Sequence, residues 1–106
     1  MEKTVLAGAS YSNRKFFMDN KFSSLPEPVK KEIKSLCVLS AERLMSVFLM
    51  GFNADGEIYF EILPEENFAQ ADDIGAEYVM SEIRRDKAEL LKALKLWYII
   101  FKDGKL

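Results

Sequence analysis

The chain has 106 residues, 49% apolar and 30% charged, with a formal charge of −2, one cysteine and no histidine. That is the length of one domain with enough apolar side chains for one core, and its slightly acidic balance argues against a general nucleic-acid binder. The lone Cys37 excludes an internal disulfide and fits a reducing compartment, while the missing histidines remove the commonest general base and metal ligand.

The apolar run from Val5 to Ala9 is too short for the core of a signal peptide, and no run approaches the ~18 residues of a membrane span. The expectation is therefore a cytoplasmic, soluble, bacterial-sized single domain over 1–106. Lys3 to Ala9 reads as a short strand, and Arg14 to Met18 as a second, followed by a turn at Asp19-Asn20. Ser24 and Glu27 have the spacing of a capping box, with Pro26 tolerated in a first helical turn. Val29, Ile33, Leu36, Cys37, Ser40 and Leu44 then recur at helical spacing, with Lys30, Lys31 and Lys34 on the opposite side. The first helix is expected from about Leu25 to Arg43. Cys37 falls on its apolar stripe and reads as a small core hydrophobe.

The stretch GFNADGEIYFEI (Gly51 to Ile62) resembles a calcium loop at its third, fifth, sixth and eighth positions. It has glycine at the first and isoleucine at the twelfth, so both the opening carboxylate and the bidentate Glu are missing. Phe48, Met50 and Phe52 alternate before the turn, and Ile58, Phe60 and Ile62 after it. The segment is a β-hairpin, with Asn53 to Gly56 as a type I turn closed by a left-handed glycine. Val47 and Leu49 make its first strand apolar on both sides, which predicts a central strand or one covered by a partner molecule.

After Pro64 a polar connection, EENFAQADD, leads to Asp72, a candidate helix cap. Ala76, Met80, Ile83, Leu90, Leu94, Trp97 and Phe101 step by three and four, with Lys87 intruding, so one helix is expected over 73–102, before Gly104. At 1.5 Å per residue it would be roughly 45 Å long, against about 33 Å for a domain of this size. It must kink or pack against another chain. LWYIIF (96–101) is also β-prone, but the spacing carried through Trp97 to Phe101 favours helix.

No lysine or arginine lies between Leu44 and Ile83, a window rich in Asp and Glu. Glu65, Glu66, Asp72 and Asp73 have the donor chemistry of a magnesium site, but solvated edges and a helix N-terminus account for them more simply. Arg84 and Arg85 point about 100° apart on a helix and do not clamp one phosphate. The aromatics among Lys3, Arg14, Lys15 and Lys21 (Tyr11, Phe16, Phe17, Phe22) read as core. The last helical turns are apolar all round, which points to a homodimer with Leu94, Trp97, Tyr98 and Phe101 at its interface; the alternative is burial within the chain by the N-terminal segment with Phe16, Phe17 and Phe22.

EKTVLAGA, FSSLPEPVKKEIKSLCV, the hairpin and DDIGAEYVMSEIRRDKAELLKAL with aromatics behind it together resemble a family of short proteins of clostridial-type anaerobic bacteria with no assigned activity. The resemblance spans most of the chain and implies a cytoplasmic bacterial setting. It carries no catalytic or binding residues.

The expected fold is α+β in two layers, a small antiparallel sheet with two helices in the order β-β-α-β-β-α. The expected role is a non-enzymatic interaction module that self-associates, with an acidic surface for a basic protein partner and no cofactor, metal, nucleic acid or membrane. The alternative is a small-molecule binder or carboxylate-based enzyme with a pocket between sheet and second helix, using Glu57, Tyr59 and Glu61.

Overall fold

The structure, a computed structural model, describes residues 3–64 and 73–102. Expectations for Glu65, Glu66, Asp72 and Gly104 fall outside the described residues, as does the side chain of Asp73. The chain runs β1 (Thr4–Ser10), β2 (Lys15–Met18), a single 3-10 turn (Asn20–Phe22), α1 (Glu27–Leu44), β3 (Ser46–Phe52), β4 (Ile58–Pro64), α2 (Asp73–Asp86) and α3 (Ala88–Lys102). The strands form one antiparallel sheet in the order β2-β1-β3-β4. The class is α+β, but the order differs from the expected one: the chain ends in two helices and inserts a 3-10 turn before α1. No described helix is long and apolar enough to cross a membrane.

The expected long helix breaks at Lys87. Lys87 N still donates to Ile83 O and Leu91 N to Lys87 O, so the chain turns without losing the bonds on either side. Neither proline nor glycine sits at the break; the Lys87 ammonium reaches Glu32 of α1 at 3.3 Å. The LWYIIF segment is helical throughout. The expected capping box is not formed either. α1 starts at Glu27, Pro26 occupies the cap position without a side-chain bond, and Pro28 lies in the first turn. Pro28 has no N–H, so the first turn of the observed helix has one orphan donor fewer to satisfy. At the far end Met45 takes the left-handed conformation (φ 48, ψ 47), its amide returning to Ala41 and Glu42 oxygens.

The hairpin follows its pattern. Gly56 N donates to Asn53 O at 2.9 Å, Asn53 N to Glu57 O at 2.8 Å, and Gly56 has φ +88. Only glycine adopts that conformation without a Cβ penalty. β3 lies between β1 and β4, so the strand read as apolar on both sides is central.

All three helices lie on one face. Ala7, Ala9, Phe48, Met50 and Phe52 share it and are buried, joined by Leu6, Ile33, Leu36, Cys37, Val79, Ile83, Leu90 and Leu94. Phe22 is fully buried against α3, its ring 5.8 Å from that of Phe52 and 5.4 Å from that of Phe101.

Candidate functional site

Strand register defines the opposite face of the sheet. Phe17, Gly8, Leu49 and Glu61 are consecutive cross-strand partners from β2 to β4; Lys15, Ser10, Val47 and Leu63 form the row on one side, and Val5, Gly51 and Tyr59 the row on the other. Side chains of cross-strand partners share a face. No described helix covers this one: Phe17 is 49% exposed and Leu63 40%. Phe17 therefore departs from the expectation that the N-terminal aromatics are core, whereas Phe22 meets it.

Two glycines flatten this face. A Cβ at Gly8 would collide with Leu49 Cδ2 and lie 2.8 Å from the Phe17 ring; one at Gly51 would collide with Thr4 O and lie 2.8 Å from the Tyr59 ring. Leu49, Phe17 and Tyr59 thus lie down over the glycines beside them, giving a low apolar surface with few ridges. Lys3 Nζ stands 4.8 Å from the Tyr59 ring centroid. Burial and then the nearby Glu61 carboxylate hold the Tyr59 phenol above its ordinary pKa. Lys15 on β2 and Glu61 on β4 put opposite charges on the two edge strands.

The aromatic cluster of α3 turns inward. Leu94 is 1% exposed. Tyr98 stacks on Phe52 at 4.0 Å, and Trp97, Tyr98 and Phe101 all pack around Phe22. The Tyr98 hydroxyl also lies 3.2 Å from Thr4 Oγ1. The expected interface residues Leu94, Trp97, Tyr98 and Phe101 are therefore engaged within their own chain, because the 3-10 turn delivers Phe22 to them. What α3 leaves outside is Leu96, Ile99 and Ile100.

The described residues do not gather the alternative site into one pocket. Tyr59 and Glu61 lie on the open sheet face and Glu57 at the hairpin end, where it pairs with Lys95, whose ammonium this bond holds above its ordinary pKa. None of the three lines a described cavity. The acidic window is likewise divided: Glu82 pairs with Arg43, and Asp55 accepts from the Glu57 amide. Arg85 is committed to Asp86 and Arg84 stands over the Phe60 ring, so the two arginines serve different neighbours. Cys37 is fully enclosed and burial pushes its thiol up to about 12, which fits a core role.

A cleft of about 410 Å³ lies between the β1–β2 hairpin and α1, with Tyr11, Phe16, Arg14 and Lys34 among its walls. A second cavity of about 340 Å³ continues it along α1, sharing Phe16 and Lys34. No local pattern announces this cleft, because its walls come from residues 9–23 and 27–42, brought together only when α1 packs beside β2.

No curated protein and no solved structure matches the chain. Over residues 3–105 it matches a family of unknown function, DUF6145, and the chain belongs to that family.

Proposed function

We propose that this protein is a non-enzymatic interaction module of the bacterial cytoplasm that self-associates through the open face of its sheet. The observation that carries the reading is the uncovered face itself, apolar across β2, β1, β3 and β4 and flattened at Gly8 and Gly51. The occupant is a second copy, from charge and geometry. A two-fold axis parallel to the strands sets β2 against β4 of the second copy and brings Lys15 towards its Glu61. The same axis opposes Leu49 to Gly8 of the second copy. Stacked sheets pack about 10 Å apart with strands near −30°, within reach of a lysine.

The outer stripe of α3 is the poorer surface for a second copy. Antiparallel pairing of that stripe about residue 97 would set Lys92 against Lys102, like against like. Four strands about 4.8 Å apart and seven residues of about 3.3 Å give a footprint of roughly 400 Å² per copy. That lies below a standard interface, so association belongs in the micromolar range.

Sedimentation equilibrium tests the reading with a charge-swap cycle. Lys15→Glu and Glu61→Lys each weaken the dimer, and the double variant recovers it. Recovery absent in the double variant removes the proposed axis; a wild-type monomer at about 1 mM removes the dimer altogether.

A further inference from the structure

We infer that the cleft between β2 and α1 accepts an acidic, extended peptide segment of a partner protein, added as a fifth strand along the free edge of β2. The inference rests on the edge of β2 and the α1 wall, not on the open sheet face; it shares only the β2 side chains Lys15 and Phe17 with the proposed dimer and does not depend on it.

β2 is an edge strand paired only with β1 among the described residues. Such an edge presents unpaired backbone N–H and C=O groups, and adding an extended peptide to it is a recurrent mode of recognition. β2 has only four residues, so the second source of contacts has to be the cleft beside it. The cleft provides an apolar floor from Phe16, Met18 and Val38. Between Glu27 and Glu42 the α1 wall extends about 22 Å at 1.5 Å per residue, room for six or seven extended residues at about 3.3 Å each.

Charge identifies the partner. Lys30, Lys31 and Lys34 follow one another along α1 at the rim, and Arg14 stands at the hairpin end. Among the described residues Lys31, Lys34 and Arg14 form no ion pair, whereas Lys30 shares Glu27 at 3.4 Å. Of the acids in the lining, Glu27 shares Lys30, Asp19 accepts from the Lys21 amide and Glu42 stands at the far end of the α1 wall, so five basic side chains (Arg14, Lys15, Lys30, Lys31 and Lys34) outnumber three acidic ones. The cleft is thus a cationic rim over an apolar floor in a protein whose overall charge is −2. A peptide with acids interleaved with small apolar residues complements it. Alternation along an added strand sends one set of side chains over Phe16 and Met18 and the next towards Lys15 and Phe17.

A single nucleic-acid strand fits less well. The Phe16 ring has Lys34 Nζ 5.9 Å from its centroid and lies on the core side of the sheet, so it offers no open stacking platform, and the unpaired strand edge would find no backbone to bond.

The test is fluorescence anisotropy of a labelled peptide of about eight alternating Glu and Val residues, long enough to cover the cleft. The proposal expects saturable binding, protection of the Lys15–Met18 amides from hydrogen exchange, and a roughly tenfold or greater loss for Lys31→Glu with Lys34→Glu. Both lysines are exposed, so circular dichroism should show the double variant folded with an unchanged melting temperature. A matching Lys-Val peptide binding equally well, or a double variant binding as wild type does, overturns the proposal. An all-Glu peptide of equal affinity overturns strand addition in favour of charge alone, and tighter binding of oligo-dT reassigns the cleft to nucleic acid.

Discussion

Replacing Phe22 by alanine removes the hinge pin of the helix layer. Its ring is 0% exposed and touches Phe52 of β3 and Trp97, Tyr98 and Phe101 of α3, with centroid separations from 5.4 to 6.4 Å. A buried Phe→Ala change combines lost transfer energy with a cavity that rigid neighbours cannot close, about 3–5 kcal/mol. Four aromatic neighbours add ring contacts of about 0.5–1.5 kcal/mol each beyond area, which places Phe22 at the top of that range. Phe17→Ala is the internal control: it deletes the same ring from the open face, where 49% exposure limits the cost to about 1 kcal/mol. Urea unfolding followed by Trp97 fluorescence and circular dichroism measures both. At a slope of about 1.5 kcal/mol/M, Phe22→Ala lowers the midpoint by about 3 M and Phe17→Ala by well under 1 M. Similar costs for the two variants would refute the assignment of faces, and a loss under about 1 kcal/mol for Phe22→Ala would mean the α3 aromatics do not depend on it.

Three further expectations concern other parts of the chain. Cys37, with its thiol pushed from 9.0 to about 12, carries roughly a thousandfold less thiolate than an open thiol, so a maleimide should label it only in denaturant. Because the folded pKa is raised, the stability this group contributes is complete below pH 9.0 and declines as pH rises towards about 12. Wild type compared with Cys37→Ala should show that decline as about 1.4 kcal/mol per pH unit, and parallel stability curves for the two would contradict it. Gly51→Ala drives a methyl into the backbone oxygen of Thr4 and should cost about 2–3 kcal/mol; Gly8→Ala meets mainly the movable Leu49 side chain and should cost less, a ranking that thermal melts decide. Met45→Gly relieves a left-handed conformation worth about 1–2 kcal/mol, offset in part by the glycine's chain entropy, so its melting point should rise slightly.

The hairpin and α1 were legible because each rests on a local repeat: Phe48, Met50 and Phe52 alternate, and Ile33, Leu36, Cys37 and Ser40 step along one helical face. β3 as the central strand followed from Val47 and Leu49 by the same logic. What sequence could not supply was the identity of long-range neighbours. Trp97, Tyr98 and Phe101 read as interface anchors, with burial by Phe16, Phe17 and Phe22 as the alternative; it is Phe22, 75 residues before Trp97, that fills the space between them and β3, and nothing in the local pattern singles it out from the other two. The break at Lys87 was partly legible: the excess length called for a kink or a partner and Lys87 interrupts the apolar stepping, but with neither proline nor glycine there nothing local chose between the two. Phe16 and Phe17 are adjacent in sequence and look alike, yet strand alternation sends one to the helix layer and the other to the open face. The cleft beside β2 escaped notice because Arg14 and Lys34 come from separate elements.

The central claim is that the open sheet face is where a second copy binds. Sedimentation velocity of wild type and Leu49→Lys, from about 1 µM to about 1 mM, tests it most directly. The account predicts a concentration-dependent dimer for wild type and a folded monomer throughout for the variant, whose new charge sits mid-face beside Gly8. A dimer unaffected by Leu49→Lys would contradict the account and place self-association elsewhere on the molecule.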